Sequence, residues 1–120
     1  MDWSPQDNKL VSCSRDKNVW IWSFNSSIYE YECESVLEGH TEDVKYVIWL
    51  DETSIASASY DNTIRIWNQN DDDFECTQVL ETHISIVWSL AFDAASNMLY
   101  SCGEDTKIIA WNRKLQNLKF

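Results

Sequence analysis

Short runs of alternating apolar and polar residues, rich in β-branched and aromatic side chains, follow one another along the whole chain. They are separated by turns of Asn, Asp and Ser, and none of them has the period of an amphipathic helix. β-Branched and aromatic residues favour pleated strands. The pattern therefore predicts an all-β fold with four strands in each unit. In the second unit these strands are expected at about 43–50, 54–59, 63–68 and 74–80.

The chain also repeats itself. Three segments align, Ser12–Trp22, Ser57–Trp67 and Ser101–Trp111, and their turn Asp residues are 45 and 44 positions apart. A second motif, Val36–His40, recurs as Val79–His83 at a step of 43. A repeat of this length in an all-β chain is typical of sheets arranged around an axis, in which each sheet buries its apolar faces against its neighbours.

A His ahead of the first strand and an Asp six residues ahead of a Trp complete the motif. With this period, they resemble the WD-repeat family of β-propellers. The resemblance implies a tetrad of hydrogen-bonded side chains in every blade, running from Trp through Ser and His to Asp. The expected members, unit by unit, are Ser12, Asp16 and Trp22; His40, Ser57, Asp61 and Trp67; and His83, Ser101, Asp105 and Trp111. The histidine of the first unit would precede Met1.

The 120 residues accommodate three units, at about 1–37, 38–80 and 81–120, which we expect to form a single partial β-propeller domain. The stretch 113–120 is only weakly strand-like. WD-repeat propellers close with about seven blades, so the resemblance implies three blades of a larger ring. Such an arc leaves apolar blade faces open at both ends, which predicts poor solubility or self-association. Two alternatives are a chain that completes a ring by oligomerising and a partner that supplies the missing strands.

The charge balance excludes some function classes. Twenty acidic and nine basic residues give a net charge of −11, which disfavours binding to nucleic acid or to anionic membranes. No apolar run approaches the ~18 residues of a membrane span. The opening residues, Met1–Pro5, lack the basic and apolar regions of a secretory signal. We therefore expect a cytoplasmic protein, with the nucleus as a second location.

Several strings depart from the repeat consensus. They include an extra aromatic residue, Trp20, and the segments Tyr29–Cys33, Asp43–Trp49 and Asp71–Cys76. Together they are similar to the cytosolic iron–sulfur protein assembly WD-repeat family. The resemblance implies a non-enzymatic scaffold without a cofactor, which bridges a small acidic targeting subunit, a helical-repeat adaptor, a hydrogenase-like cluster carrier and apoprotein clients. The alternatives are a generic WD-repeat interaction adaptor, a redox or metal protein, and a truncated remnant without independent function.

The candidate partner-binding residues come from the non-consensus positions. Arg15 stands directly before the turn Asp, where the other units carry Tyr60 and Glu104. Because this position varies between repeats, we expect it on a solvent-exposed rim rather than in the core. The resemblance implies an Arg here in partner contacts, and a guanidinium suits bidentate binding of a carboxylate. Lys45 and Tyr60 are the further expected partner-binding residues.

The remaining reactive residue types predict no chemistry of their own. The cysteines, Cys13, Cys33, Cys76 and Cys102, are 20, 43 and 26 residues apart, without a Cys-x-x-Cys motif. We interpret them as small, partly buried packing residues and expect no metal site. Since the Ser, His and Asp residues of the motifs are assigned to structural tetrads, we also expect no catalytic site. The acidic run Asp71–Asp73 is expected to be a solvated loop.

Overall fold

The computed structural model describes residues 1–6 and 8–112 in full and residues 118–119 by their backbone. In these residues the chain forms twelve β-strands: β1 (Asp2–Trp3), β2 (Lys9–Cys13), β3 (Asn18–Asn25), β4 (Glu30–Glu38), β5 (Val44–Asp51), β6 (Ser54–Ser59), β7 (Ile64–Asn70), β8 (Asp73–Leu80), β9 (Val87–Asp93), β10 (Met98–Gly103), β11 (Ile108–Asn112) and β12 (Leu118–Lys119). Within this part of the chain, no helix is long and apolar enough to cross a membrane.

The described strands form three four-stranded sheets, and neighbours in each sheet are also neighbours in the chain. β1–β4, β5–β8 and β9–β12 make the first, second and third blade, and every pairing is antiparallel. Up-and-down sheets of four strands are the blades of a β-propeller, so the predicted fold class is confirmed. The outermost strand of the third blade is short, and the rest of the stretch 113–120 lies outside the described residues.

The tight turns between the second and third strands of each blade share one conformation. The residue after the turn Asp has a positive φ, at 72° for Lys17, 74° for Asn62 and 66° for Thr106. In each turn the Asp Oδ1 accepts the backbone N–H two residues on, at 3.0 to 3.2 Å. The carboxylate stabilises a turn that would otherwise favour glycine. A chain with only two glycines can therefore make all three turns.

The core consists of two apolar clusters, each between two adjacent blades. In the first cluster, Val11, Val19 and Ile21 of the first blade are fully buried together with Ile55 and Trp67 of the second. Burial of each such aliphatic side chain contributes about 1.5–3 kcal/mol. The first and second blades are therefore held together mainly by the hydrophobic effect.

The second cluster repeats this arrangement one blade further on. Ala58 and Ile64 of the second blade share it with Leu99, Ile109 and Trp111 of the third. In both clusters the blade nearer the amino terminus contributes aliphatic side chains of its two middle strands. The following blade contributes the face that carries the motif Trp. The same kind of interface thus occurs twice along the chain.

Candidate functional site

The second blade contains a continuous chain of hydrogen bonds. Trp67 donates its indole N–H to Ser57 Oγ at 2.8 Å, and Ser57 Oγ lies 2.7 Å from His40 Nε2. On the other side of the ring, His40 Nδ1 lies 2.8 Å from Asp61 Oδ2. The four side chains expected for this unit are thus in contact. Because Ser57 is fully buried and His40 is 6 % exposed, the network lies inside the blade rather than at its surface.

One proton arrangement satisfies every bond of this network. Ser57 accepts from the indole, so its own hydroxyl proton donates to His40 Nε2, and the imidazole donates from Nδ1 to Asp61. Burial disfavours the ionised form of Asp61, but the hydrogen bonds from His40 and the Thr63 hydroxyl favour it and outweigh the effect of burial. They hold the pKa of the Asp61 carboxyl well below its ordinary value.

The third blade repeats the network. Trp111 donates to Ser101 Oγ at 3.1 Å, and Ser101 Oγ lies 2.8 Å from His83 Nε2. His83 Nδ1 lies 2.9 Å from Asp105 Oδ2. Desolvation opposes ionisation here too, but the bonds from His83 and from backbone N–H groups lower the pKa of Asp105. Both histidines of the chain are therefore fixed between a hydroxyl and a carboxylate.

The first blade differs from the expected arrangement. Trp22 donates to Ser12 Oγ at 2.9 Å, but Asp16 does not join this pair. Asp16 is exposed, and its Oδ2 accepts the indole N–H of Trp20 at 2.7 Å. The grouping of Asp16 with Ser12 and Trp22 was wrong because no imidazole bridges them, since both histidines belong to the other blades. Trp20 stacks on Trp22, with ring centroids 5.7 Å apart.

These networks limit what the motif residues can do chemically. The hydroxyl oxygens of Ser57 and Ser101 each contact an indole N–H and an imidazole nitrogen. Both residues are at most 2 % exposed, so a substrate has no approach to them. A nucleophilic serine needs a free path to its substrate and a base that can take up its proton. The arrangement therefore suits structural support of the blades.

Two of the expected partner-binding residues, Arg15 and Lys45, lie around one carboxylate. Asp43 Oδ2 is 3.6 Å from Arg15 Nε and 3.3 Å from Lys45 Nζ. The backbone brings them together, because the Val44 N–H donates to the Ser14 carbonyl across the two blades at 3.0 Å. The Arg15 side chain is 92 % exposed, and a weak pairing at this distance leaves it available to other molecules.

Two aromatic rings flank the ammonium group of Lys45. Its Nζ lies 5.5 Å from the ring centroids of both Tyr60 and Trp88, within the range of cation–π attraction. The indole of Trp88 also donates to Glu104 Oε2 at 2.6 Å. Sequence reasoning missed Trp88 and Glu104 as members of this site. The repeat alignment could have found them, because Trp88 is equivalent to Lys45, and Glu104 to Arg15 and Tyr60.

We call this set of side chains the rim. It consists of Arg15, Asp43, Lys45, Tyr60, Trp88 and Glu104. Its members come from all three blades and carry both signs of charge. Tyr60 is 47 % exposed and Trp88 43 %, so both rings offer surface to a partner. Arg, Tyr and Trp are the residue types most enriched where protein interfaces carry their binding energy.

The cysteines are dispersed and unpaired. Cys13 and Cys76 pack against the first core cluster, whereas Cys33 is exposed, contrary to its interpretation as a partly buried packing residue. Burial raises the pKa of the Cys13 thiol and so disfavours the thiolate that a metal ion needs. Over the residues that the structure describes, no group of three or more His, Cys, Asp or Glu side chains could hold a metal ion.

Repeated four-stranded blades, each with its motif Trp bonded to a buried or half-buried Ser, define a class of protein. The family described as WD domain, G-beta repeat, matches residues 1–23, 31–68 and 74–112. These segments cover most of the chain, and each ends in the third strand of a blade, so the chain belongs to the WD-repeat family.

Particular relatives are named after two different processes. The chain is 33 % identical to "Probable cytosolic iron-sulfur protein assembly protein 1" of Neurospora crassa, over 95 % of this chain and 32 % of the relative. It is 45 % identical to the "Probable cytosolic iron-sulfur protein assembly protein CIAO1 homolog" of Ixodes scapularis, over 67 % of this chain and 26 % of the relative. It is also 31 % identical to "Protein transport protein SEC13" of Saccharomyces cerevisiae, over 92 % of this chain and 40 % of the relative. The chain thus spans less than half the length of these relatives.

Proposed function

We propose that this chain acts as a non-catalytic WD-repeat scaffold in cytosolic iron–sulfur protein assembly. The observation that carries the proposal is the similarity to two relatives named for that process, which extends over up to 95 % of the chain. The structural use of the motif Ser, His and Asp side chains agrees with a role in binding rather than in catalysis. The units 1–37, 38–80 and 81–120 act together as one propeller domain in this proposal.

The rim is the surface through which the scaffold contacts its partners. Arg15 contributes an exposed cation whose only ion pair in the described residues is 3.6 Å long, and this guanidinium can bind a partner carboxylate. Lys45 and Tyr60 belong to the same contact, because Lys45 shares Asp43 with Arg15 and lies against the Tyr60 ring. Tyr60 and Trp88 add half-exposed aromatic area beside these charges. Together they provide the mixed aromatic and cationic surface typical of interface centres.

The proposed partners are protein subunits. They are a small acidic targeting subunit, a helical-repeat adaptor, a hydrogenase-like cluster carrier and the apoprotein clients. An acidic subunit would be repelled by the net charge of −11 at long range, so its contact must be local and involve Arg15 and Lys45. The names of the relatives favour the cytosol as the place of action.

Affinity purification of the tagged chain from cytosolic extract, followed by mass spectrometry, tests the assignment of the process. We expect the helical-repeat adaptor and the cluster carrier to be enriched over a mock purification. A purification that enriches neither of them, under conditions in which the tagged chain itself is recovered folded, would contradict the proposal.

A second candidate function rests on the similarity to SEC13, which covers 92 % of the chain at 31 % identity. This relative is named for protein transport, so the alternative is a scaffold of transport machinery. The same purification separates the two candidates, because transport proteins would then be enriched in place of iron–sulfur assembly proteins.

A further inference from the structure

Two basic residues of the rim share one carboxylate oxygen of the chain itself. Asp43 Oδ2 lies 3.3 Å from Lys45 Nζ and 3.6 Å from Arg15 Nε. The side chains of Asp43 and Lys45 are partly exposed, whereas that of Arg15 extends into solvent. The space between the two cations is therefore occupied by a carboxylate already, and another molecule can reach it.

The backbone contact that Asp43 makes does not need its carboxylate. The Asp43 carbonyl accepts the Tyr60 N–H at 2.9 Å, and this bond joins the start of β5 to the turn after β6. At the equivalent place in the third blade, the Ile86 carbonyl accepts the Glu104 N–H at 2.8 Å. Because the same contact forms with an aliphatic side chain, the charge of Asp43 is available for a role at the surface.

The ammonium group of Lys45 has support besides Asp43. Its Nζ lies 5.5 Å from the ring centroids of both Tyr60 and Trp88. These rings still flank the ammonium group when a different carboxylate takes the place of Asp43. The cation is thus positioned in advance for an incoming acidic group.

The contact between Asp43 and Arg15 is weak enough to be replaced. Arg15 meets the carboxylate through Nε at a distance beyond that of a good hydrogen bond. Exposed ion pairs of this kind contribute little to stability. A carboxylate on a partner can instead approach the fork of the guanidinium and form two parallel hydrogen bonds. Such a group therefore binds Arg15 better than Asp43 does.

We propose that Asp43 determines the specificity of the rim by competing with the partner for Arg15 and Lys45. A partner binds by placing a carboxylate where that of Asp43 now lies, and it must engage both cations to displace it. The rim then selects segments with adjacent acidic side chains over segments with a single one. This inference rests on the proposed use of the rim as a contact surface and adds the chemistry of the partner group.

The binding of a fluorescein-labelled hexaglutamate peptide to the purified chain tests the competition. Fluorescence anisotropy at low ionic strength gives the dissociation constant. Asp43→Asn should bind the peptide about twofold to fivefold more tightly than the wild-type chain, because the internal competitor is gone. The double variant Asp43→Asn/Arg15→Gln should lose this gain. Asp72→Asn is the matched control, since it removes the same charge from an exposed position outside the rim and should bind like the wild type.

Salt separates competition from a structural effect of the substitution. Added salt screens the contacts of the two cations with Asp43 and with the peptide alike. The difference between Asp43→Asn and the wild-type chain should therefore narrow as the salt concentration rises. If Asp43 instead holds Lys45 in place for binding, its replacement weakens binding at low salt, which is the opposite sign.

Several results would overturn the proposal. Binding by Asp43→Asn that is no tighter than by Asp72→Asn would do so, and so would the absence of binding by every chain. A gain that persists in the double variant would place its origin outside the pair of cations. Circular dichroism verifies that the strands are retained, and Asp43→Ala repeats the test with a second side chain. The peptide belongs to no cellular process, so this result is independent of whether the purification enriches the adaptor and the cluster carrier.

Discussion

Trp20 donates its indole N–H to the Asp16 carboxylate at 2.7 Å, where the equivalent carboxylates of the other two blades bind a histidine. The first blade thus keeps the turn aspartate but uses it at the surface. Its motif Trp, Trp22, donates to Ser12 as in the other blades and is also stacked on the ring of Trp20. Equivalent positions in a repeat can therefore carry the same residue type with different hydrogen-bond partners.

Replacement of the two aspartates should separate these roles. Asp61→Ala removes the acceptor of the buried His40 Nδ1–H and of the Thr41 N–H, and we expect a loss of about 1–3 kcal/mol in the free energy of unfolding. Asp16→Ala leaves its former partners hydrogen-bonded to water, so it should lower the free energy of unfolding by less than about 1 kcal/mol. Urea unfolding followed by circular dichroism at fixed protein concentration measures both. Equal losses would show that the Asp61 network contributes no more than a surface turn.

Trp67 should be among the most sensitive positions of the second blade. It is 2 % exposed, belongs to the first core cluster and donates to Ser57, so Trp67→Ala should lower the free energy of unfolding by about 3–5 kcal/mol. Trp88→Ala is the control, since that ring is 43 % exposed and its removal leaves no buried cavity. Wild-type stability of Trp67→Ala in the same urea titration would be incompatible with the buried network.

Stability should fall in acid because of Asp61 and Asp105. Both carboxyls have a pKa below their ordinary value of 3.8 in the folded chain. The unfolded chain therefore takes up protons first as the pH falls, and their stabilising contribution is complete above the ordinary pKa and decreases below it. We expect the free energy of unfolding to decline from about pH 5 downwards, and Asp61→Asn to make that decline shallower.

The surface variant Asp72→Asn controls for the general effect of removing one acidic group. It should keep the pH dependence of the wild-type chain. If Asp61→Asn and Asp72→Asn give the same curve between pH 5 and pH 3, the His40–Asp61 contact is not a source of acid sensitivity.

Exchanging Asn and Thr at the positive-φ position of the turns should change the free energy of unfolding in opposite directions in the second and third blades. Thr106 adopts a φ of 66°, a conformation that costs a β-branched residue energy, whereas Asn62 tolerates the equivalent 74°. Thr106→Asn should raise the free energy of unfolding by about 0.5–1 kcal/mol, and Asn62→Thr should lower it by about 1 kcal/mol or more. Thermal unfolding of the two variants provides the measurement. A Thr106→Asn chain that melts below the wild type would argue against strain in this turn.

Much of the fold could be predicted because the repeated sequence pattern specifies the strands of each blade. The predicted strands of the second unit differ from the observed ones, Val44–Asp51, Ser54–Ser59, Ile64–Asn70 and Asp73–Leu80, by at most two residues at either end. The aligned motifs also placed the networks of the second and third blades. Alternating apolar positions and a fixed period specify which residues face inward, and neighbouring blades reinforce the same pattern.

The differences arise where side chains from different units meet. The grouping of Asp16 was wrong because alignment transfers a position without the histidine that gives it a partner. Trp88 was missed because its importance depends on Lys45, which lies in another blade, and on Glu104. The repeat alignment places Trp88 at a position equivalent to Lys45, but the contact between the two side chains depends on how the second and third blades are placed, which the alignment alone does not specify.

The central claim, a partner-binding rim on a WD-repeat scaffold, is tested most directly by charge reversal at Arg15. Tagged wild-type chain, Arg15→Glu and Lys107→Glu are compared for the amount of helical-repeat adaptor and cluster carrier that each recovers from the same cytosolic extract. Lys107 is an exposed cation outside the rim, so its reversal makes the same change in net charge. The account predicts roughly tenfold lower recovery with Arg15→Glu, as expected for an interface centre, and unchanged recovery with Lys107→Glu. Equal recovery by all three chains would contradict it.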